Sequence, residues 1–456
     1  MTGYATLLPE VLLLLGALLA LFSERLPGGD KAGAVCGAVA ALAAAVCVVL
    51  VPLGAEGPFG DLLVFDGPAR FTRGAIALLT CVWLLWTAGR GGSRVREGVA
   101  LALFAAMGAM LMAGARELIT LLVSLELATI PAYVLIGYRK GDVRGLEGAL
   151  KYFLLSMLAT LVTLYGFSFL YGLSGTTHYA GLDLSAAGVL GVAAAVLSLV
   201  GIFAKLSAAP FHYWAPDAYE GATPWAVAFV STVPKIAGAI AIIRLLSAIA
   251  PGLAPIATVV AVVSAASMLL GNLGALTQTD IRRLMAYSAV AHTGYLLVGV
   301  TVLSEAGASA AVFYVVAYAF ASMGIMFVAA EEGPALTDWG ALVARRPVAA
   351  WGVIALLLSL IGIPPTIGFF GKLYLFVAAL DAGHVALVII AVVMSVVSAG
   401  YYLRIAREMF FAVAPIGHAP IRRSPEASLA LALCVLAVLI LGVCAGPLFA
   451  AIGVFL

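Results

Sequence analysis

A succession of long apolar runs constrains this chain more than any other feature of its sequence. Hydrophobic residues make up 64% of the 456 residues, and charged residues make up only 10%. Many of the runs approach or exceed the ~20 residues that span a bilayer as a helix. A helix satisfies its own backbone hydrogen bonds within the hydrocarbon layer. The pattern therefore predicts an all-α membrane protein with about fourteen transmembrane helices.

The spans follow one another along the whole chain. The predicted ranges are 7–22, 33–53, 71–88, 98–113, 118–137, 146–171, 189–208, 225–249, 256–276, 284–303, 310–330, 348–363, 373–411 and 429–455. The thirteenth range contains a break near Asp381. We therefore expect the twelfth span to continue through a break to about Leu380, and the next span to start near His384.

Basic residues are distributed unequally between the loops on the two sides. The odd-numbered loops carry Arg25, Lys31, Arg90, Arg94, Arg96, Arg139, Lys140, Arg144, Arg282, Arg283, Arg345, Arg346, Arg404, Arg407, Arg422 and Arg423. The even-numbered loops carry only Arg70, Arg73, Arg116 and Arg244. Because cytoplasmic loops are enriched in lysine and arginine, the odd loops are predicted to be cytoplasmic and both termini to lie outside the cytoplasm.

Two of the spans are interrupted by proline and glycine. In the stretch from Ser198 to Lys235, an apolar helix passes Lys205 and meets Pro210, and a second apolar helix carries Lys235. The other interruption surrounds Pro364 and Pro365. Proline removes a backbone donor and clashes with the preceding turn of a helix. Each of these stretches is therefore predicted to be a broken helix.

An offset of about 162 residues brings two parts of the chain into register. The matched residues are Tyr133 with Tyr295, Gly137 with Gly299, Tyr152 with Tyr314 and, after one residue of slippage, Ser198–Ile202 with Ser359–Ile363. Five helices in each unit place the two copies in opposite topology, and inverted repeats with broken helices are typical of transporters. The alternative is a chance alignment of apolar sequence.

The repeat divides the chain into four parts. We predict N-terminal helices in residues 1–114, a first repeat in 115–276, a second repeat in 277–411 and a last helix in 412–456.

Six ionisable side chains lie in or beside the apolar spans. They are Glu126, Lys151, Lys205, Lys235, His292 and Lys372. A lysine at the centre of a membrane helix costs at least ~2.5–3.5 kcal/mol on an insertion scale, which packing alone would not require. Desolvation favours the neutral amine, and a nearby carboxylate favours the ammonium. A pair of Lys205 and Glu126 would hold a proton and release it when broken. The six residues therefore predict a proton relay.

Each of these residues also has a structural alternative. Glu126 and Lys205 could form a fixed ion pair, and His292 could be a hydrogen-bonded core histidine. Lys151 lies near a helix start and could snorkel to the membrane surface. The polar residues of the first break could serve only to satisfy freed backbone groups; they are His212, Asp217 and Glu220.

The sequence contains no recognisable redox, nucleotide or metal motif. The cysteines lie in apolar runs without CxxC spacing; they are Cys36, Cys47, Cys81, Cys434 and Cys444. There is no GxGxxG after a strand and no Walker motif, and no basic cluster indicates nucleic acid. We therefore expect no cofactor, metal or nucleic acid to be bound by this chain.

Several motifs resemble one known family. They are SLELATIPAYVLIGY, ALKYFLLSMLA, AKLSAAPFHYWAPDAYEGATP with VPKIAG, GNLGALTQTDIRRLMAYSAVAHTGYLLVG and SLIGIPPTIGFFGKLYLF, and together they extend from about Ser124 to Phe376. They are similar to the antiporter-like membrane subunits of respiratory complex I, which are related to subunits of multisubunit cation/proton antiporters. The amino end TLLPEVLLLLGALLALF and the presence of Lys372 most resemble subunit N of the bacterial enzyme.

The resemblance implies a function and a setting. It matches Glu126, Lys205, Lys235 and Lys372 to the essential charged residues of the family's fifth, seventh, eighth and twelfth helices, and His292 to its connecting axis. It implies a proton-translocating subunit of NADH-quinone oxidoreductase in the bacterial inner membrane, bound to other membrane subunits that include antiporter-like neighbours. NADH, FMN, iron–sulfur clusters and quinone are then expected in partner subunits.

Two further hypotheses stay open at this point. One is a subunit of a sodium or potassium/proton antiporter, which would transport in a cation-dependent manner. The other is a membrane scaffold whose buried charges only fix helix packing, so that neutral replacement of Lys205 would leave activity intact.

Overall fold

The computed structural model describes residues 2–25, 28–54, 57, 59–90, 95–251, 253, 255–414 and 424–453. These residues form helices α1 Thr2–Ala5, α2 Leu8–Leu21, α3 Gly29–Leu50, α4 Gly67–Arg90, α5 Val95–Gly114, α6 Leu118–Ile136, α7 Val143–Ser174, α8 Gly188–Leu206, α9 Trp214–Gly221, α10 Pro224–Val230, α11 Val233–Ile249, α12 Pro255–Leu276, α13 Ile281–Thr301, α14 Glu305–Glu332, α15 Leu342–Arg345, α16 Pro347–Ile361, α17 Ile367–Asp381, α18 Val385–Phe411, α19 Pro425–Val443 and α20 Ala445–Ala450. Short 3-10 helices lie at Ser23–Arg25, Tyr179–Gly181 and Leu336–Trp339. The described residues contain only isolated β-bridges and no strand, so the all-α prediction is confirmed.

Every predicted span corresponds to a helix or to a helix pair. Among the described residues, twelve helical segments are long and apolar enough to cross a membrane, with α10 and α11 counted as one segment. Two shorter apolar helices, α2 and α16, occupy the first and twelfth predicted positions. The thirteenth span begins at Val385, after α17 ends at Asp381, as expected from the break near that residue.

Both predicted breaks are present. Helix α8 ends at Leu206 because Ser207 adopts a left-handed conformation with φ of 60°. Helix α16 ends in the same manner before Gly362, whose φ is 92°. Glycine takes this conformation without the steric penalty that a side chain incurs. In each case a second helix, α9 or α17, starts a few residues later.

The structure adds a third break, which the sequence reasoning treated as one continuous span. Helix α10 ends at Val230 and α11 begins at Val233. Pro234 lies in the first turn of α11. Proline has no backbone N–H, and it is tolerated there because the first turn of a helix does not use that donor. Thr232 uses its hydroxyl to donate to the carbonyl of Ala228. Lys235 therefore starts a helix instead of lying in the middle of one.

Two arginines that the loop count assigned to the even side are buried inside helices. Arg73 is in α4 and donates to both carboxylate oxygens of Glu10 at 2.7 Å. Arg244 is in α11 and donates to Asp66 at 2.6 Å. All four side chains are buried. These arginines therefore do not bear on orientation. Three of the odd-side arginines, Arg94, Arg422 and Arg423, lie outside the described residues.

The helices differ strongly in how much of their surface other helices cover. In the most apolar stretch of each segment, all residues of α10–α11 and of α14 are buried, and 94% of those of α13 are buried. The corresponding shares are 39% for α7, α12 and α18 and 28% for α19. The helices that carry Lys235 and His292 are therefore central, and the sparsely covered helices form the lipid-facing periphery.

Close backbone approach joins α7 to α8. A Cβ atom built on Gly166 of α7 would clash with the backbone of Ser198 in α8. The main-chain N–H of Gly201 donates to the Thr163 hydroxyl at 2.6 Å. This contact fixes α8, which carries Lys205, against α7.

We expect Gly166→Ala to destabilise the fold by about 1–3 kcal/mol, because overpacking forces backbone shifts. Gly172→Ala on the same helix is the matched control, since nothing lies within 4 Å of the added Cβ. This change is expected to be neutral or stabilising by about 0.5–1 kcal/mol. Thermal unfolding of the purified full-length chain measures both variants, and equal melting temperatures would contradict the close α7–α8 contact.

Candidate functional site

Lys205 is buried at the junction of three helices. It is the penultimate residue of α8, and only 6% of the residue is exposed. Its ammonium donates to the Tyr133 hydroxyl of α6 at 2.8 Å and to the Ser156 hydroxyl of α7 at 2.9 Å. Nζ also lies 5.0 Å from the centre of the Tyr133 ring, within the range of a cation–π contact. Neutral groups therefore hold this ammonium.

Glu126 lies on the same helix as Tyr133, about two turns earlier. Its Oε1 accepts a hydrogen bond from the Thr160 hydroxyl at 2.8 Å, and its Oε2 is buried without a hydrogen-bond partner among the described residues. Thr160 follows Ser156 by one turn of α7, so the hydroxyl partners of the two charged residues share one helix face.

The expected direct ion pair between Glu126 and Lys205 is not formed. The bonds of Lys205 go to Tyr133 and Ser156, and the bond of Glu126 goes to Thr160. Hydroxyl groups separate the two charges, because α7 places a serine and a threonine between them.

Aromatic packing holds Lys205 in place. The Tyr152 ring stacks on Trp214 with ring centres 3.9 Å apart, and its edge meets Tyr133 at 4.7 Å. The indole N–H of Trp214 donates to the carbonyl of Ala204 at 2.8 Å. Because Trp214 begins α9, the segment after the break returns to support the last turn of α8.

Lys235 binds the end of the first broken helix. Its ammonium donates to the carbonyl of Leu206, the last residue of α8, at 2.9 Å. It also donates to the carbonyl of Ala289 at 3.1 Å and to the Thr293 hydroxyl at 3.3 Å, both on α13. Thr293 in turn donates to the carbonyls of Leu206 and Ala289. A cation at a helix C-terminus is favoured by the negative end of the helix dipole.

Lys372 binds the end of the second broken helix in a similar way. Its ammonium donates to the carbonyls of Leu360 and Ile361, the last two residues of α16, at 3.1 and 2.8 Å. It also donates to the Ser395 hydroxyl of α18 at 2.7 Å and lies 4.7 Å from the centre of the Tyr295 ring. Both lysines therefore satisfy carbonyls that a break has freed.

His292 lies between the two lysines on α13. Its Nδ1 is hydrogen-bonded to the Tyr314 hydroxyl at 2.6 Å, and its Nε2 to the Tyr402 hydroxyl at 3.1 Å. Tyr402 is also hydrogen-bonded to Ser288, one turn earlier on α13. His292 and Lys235 line one small cavity with about 10 Å³ of water-accessible volume, which is about the room that one water molecule needs.

Lys151 lies apart from these buried residues. It forms ion pairs with Glu147 at 2.8 Å and with Asp217 at 2.7 Å, and 43% of its side chain is exposed. Arg283 binds Asp217 and Glu220 at the same place. Burial raises the pKa of the Asp217 carboxyl, but hydrogen bonds from Lys151 and Arg283 outweigh it, and the pKa lies below its usual value. The polar residues of α9 thus join an ion-pair cluster, while His212 is buried in the break.

Sequence reasoning missed the hydroxyl groups that hold the charges. Ser156 and Thr160 are spaced four apart, as are Ser288 and His292, which is the spacing of one helical face. The tyrosines Tyr133 and Tyr314 entered the analysis only as markers of the repeat. Within the described residues, no group of histidine, cysteine or carboxylate side chains could hold a metal ion.

The Thr293 hydroxyl offers a test of how the broken helix is joined to Lys235. We expect Thr293→Val to destabilise the chain by about 1–3 kcal/mol, because a buried carbonyl loses a partner. Thr301→Val is the matched control: Thr301 is also buried in α13, and its hydroxyl bonds only to the carbonyl of Leu297. Thermal unfolding compares the two variants, and equal losses would argue against a special role for the contact with Leu206.

Comparison with known proteins identifies the family. The sequence profile of a family described as "NADH:quinone oxidoreductase/Mrp antiporter, TM" matches residues 115–398. Subunit N of the NADH-quinone oxidoreductase of Rhodospirillum rubrum is 37% identical over 438 residues, covering 89% of this chain and 87% of that protein.

Two solved structures share the fold. A chain of respiratory complex I from Thermus thermophilus has a TM-score of 0.85 and 32% identity, covering 98% of this chain and 99% of that one. A chain of the Mrp complex from Dietzia sp. DQ12-45-1b has a TM-score of 0.85 and 25% identity, covering 99% and 96%. The chain therefore belongs to the family of membrane subunits shared by NADH:quinone oxidoreductases and Mrp antiporters, and it is similar to subunit N of NADH-quinone oxidoreductase.

Proposed function

We propose that this chain is a proton-translocating membrane subunit of an NADH-quinone oxidoreductase. Protons would move through a buried relay of Glu126, Lys205, Lys235, His292 and Lys372, coupled to quinone reduction in partner subunits. The similarity to subunit N supports the assignment to this complex. The two repeats, in residues 115–276 and 277–411, would contribute to the relay through the broken helices that end at Leu206 and at Ile361.

One observation carries this proposal: buried lysines are held by neutral acceptors. The ammonium groups of Lys205, Lys235 and Lys372 contact hydroxyls and carbonyls, and none of them forms an ion pair within the described part of the chain. Loss of a proton from such a lysine leaves no unpaired carboxylate in the membrane. A lysine in a buried ion pair would leave one, at a high free-energy cost.

The relay needs a step between its two halves. Glu126 and Lys205 lie on α6 and α8, while Lys235 reaches the end of α8 from the other side of the break. The unpartnered Oε2 of Glu126 is a polar position of the kind that ordered water occupies. The cavity beside Lys235 and His292 has about the room of one water molecule. Water would carry the proton between these side chains.

Lys151 has a different place in this proposal. It is half exposed and ion-paired with Asp217, near one end of α7. We place it at the outer limit of the relay, where protons would arrive from or leave to water. This role is separate from that of the buried lysines, and its neutral replacement tests it independently.

The setting of the subunit follows from the same assignment. The chain would lie in the inner membrane of a bacterium with both termini outside the cytoplasm, against other membrane subunits that include antiporter-like neighbours. The redox cofactors of the reaction, NADH, FMN and iron–sulfur clusters, would be bound by partner subunits together with quinone. This chain would contribute proton movement and no electron-transfer group.

A second candidate function is cation/proton exchange, which the likeness to a chain of the Mrp complex favours. In this case transport would depend on sodium or potassium. We expect proton movement driven by NADH oxidation to persist in vesicles free of both cations. Proton movement that ceases without them and returns when one is added would support exchange and contradict the leading proposal.

We expect Lys205→Met to reduce quinone-linked proton pumping through this subunit by about tenfold or more, because proton transfer by a positioned side chain contributes 10²–10⁴-fold. Glu126→Gln is expected to act in the same direction. Lys140→Met is the matched control, since Lys140 is an exposed residue between α6 and α7. Inverted membrane vesicles containing the assembled complex provide the measurement.

Assembly is checked first, because a complex that lacks the subunit would also fail to pump. Normal pumping by an assembled Lys205→Met complex would refute the relay and support the scaffold hypothesis. Equal losses in Lys205→Met and Lys140→Met would indicate a general effect of charge removal.

A further inference from the structure

A groove runs along the outer surface of the bundle between α16 and α19. It encloses about 660 Å³ and is lined by Arg346, by residues of α16 from Pro347 to Ala355 and by residues of α19 from Ala427 to Leu439. Helix α19 is the least covered of the membrane-spanning helices described, and Trp351 of α16 is 59% exposed. The groove is therefore exposed on the surface of this chain and lies apart from the buried relay.

The dimensions of the groove match one leaflet of a bilayer. The lining residues of α19 extend from Ala427 to Leu439, which corresponds to about 18 Å of helix at 1.5 Å per residue. Half of the ~30 Å hydrocarbon core is about 15 Å. Apart from Ser428, the lining of this stretch of α19 is apolar, so the groove offers one leaflet's depth of apolar surface.

One end of the groove is charged. Arg346 and Glu331 line it there, and the surrounding ion pairs join the guanidinium groups of Arg90, Arg345 and Arg346 to the carboxylates of Glu331 and Glu332. Three positive groups thus face two negative ones. Of these groups, Arg346 lines the groove itself and is about a quarter exposed, so it offers a positive charge at the end of an otherwise apolar surface.

Arg346 has donors left for an anion. It binds Glu332 through Nη1 at 2.7 Å and Glu331 through Nη2 at 2.6 Å. A guanidinium carries five N–H donors, and these two ion pairs do not use Nε. About a quarter of the side chain is exposed. The planar fork of arginine is well suited to phosphate.

We propose that this groove binds an anionic phospholipid. Its phosphate would lie at Arg346, and one acyl chain would lie along the groove between α16 and α19. A helix of another protein would fill the apolar part but would not account for the surplus positive charge at one end. A zwitterionic lipid would fill the groove but would gain less from that charge.

The headgroup contact is tested with Arg346→Gln. Native mass spectrometry of the purified full-length chain compares retention of dioleoyl phosphatidylglycerol with that of dioleoyl phosphatidylcholine. We expect the wild type to retain phosphatidylglycerol preferentially and Arg346→Gln to bind it about tenfold more weakly, the loss expected for one charge-assisted hydrogen bond. The fold should survive, because Glu331 keeps Arg90 and Glu332 keeps Arg345. Arg407→Gln, at an exposed arginine of α18, is the control.

The acyl-chain contact is tested with Ala432→Trp, which fills the groove from an exposed position of α19. Ile440→Trp, on the same helix and exposed but outside the groove, is the control. We expect only Ala432→Trp to lose bound phosphatidylglycerol. Arg346→Lys, which keeps the charge without the fork, should retain more lipid than Arg346→Gln.

Three outcomes would overturn the proposal. The first is equal retention of the two lipids by the wild type. The second is undiminished phosphatidylglycerol binding by Arg346→Gln and Ala432→Trp. The third is release of a neighbouring subunit from the complex by Ala432→Trp with lipid retention unchanged, which would assign the groove to a protein helix. None of these measurements depends on proton movement.

Discussion

A broken helix inside a membrane leaves carbonyl oxygens that no lipid can satisfy, and this constraint organises the structure. Two of the breaks expose the last carbonyls of a helix, at Leu206 and at Leu360 and Ile361, and a buried lysine binds each set. The lysines need acceptors as much as the carbonyls need donors. Break and cation therefore stabilise one another, and neither is tolerable alone in an apolar surrounding.

The buried charges fall into two classes. Arg73 and Arg244 are paired with the carboxylates of Glu10 and Asp66. The first pair joins α4 to α2, and the second joins α11 to the residue before α4. Arginine stays protonated in proteins, so these pairs are fixed. The lysines of the candidate site contact neutral oxygen atoms instead. The fold thus separates charges that hold helices together from the amines that we propose to exchange a proton.

Much of this arrangement could be predicted from the sequence. The apolar runs predicted the helices, and the Pro210 and Pro364–Pro365 interruptions predicted two breaks, because both depend on local composition. The break before Lys235 was missed because Pro234 occurs within a run that is apolar throughout. The direct Glu126–Lys205 pair was wrong for another reason: the hydroxyls of Tyr133, Ser156 and Thr160 compete for the same groups, and only the packing of α6, α7 and α8 decides the outcome.

The lysines of the candidate site differ in how deeply they are buried. Lys151 has the same apolar sequence context as the other lysines, but α9 brings Asp217 beside it, so it joins a half-exposed ion-pair cluster. Which lysines face the centre of the bundle depends on how the helices rotate about their axes, and a nearly uniform apolar sequence contains little information about that rotation.

The hydrogen bonds of His292 restrict which of its neighbours can donate and which can accept. A neutral imidazole has one donor nitrogen and one acceptor nitrogen, and here both are bonded to phenols, those of Tyr314 and Tyr402. One phenol must therefore accept while the other donates. The role that Tyr402 takes towards His292 also decides whether Tyr402 donates to Ser288 or accepts from it. The row of groups has two opposite orientations, which differ in the position of every shared hydrogen. Moving between them requires the imidazole proton to change nitrogen as well as the hydroxyls to reorient, so the hydrogen positions along this row are coupled.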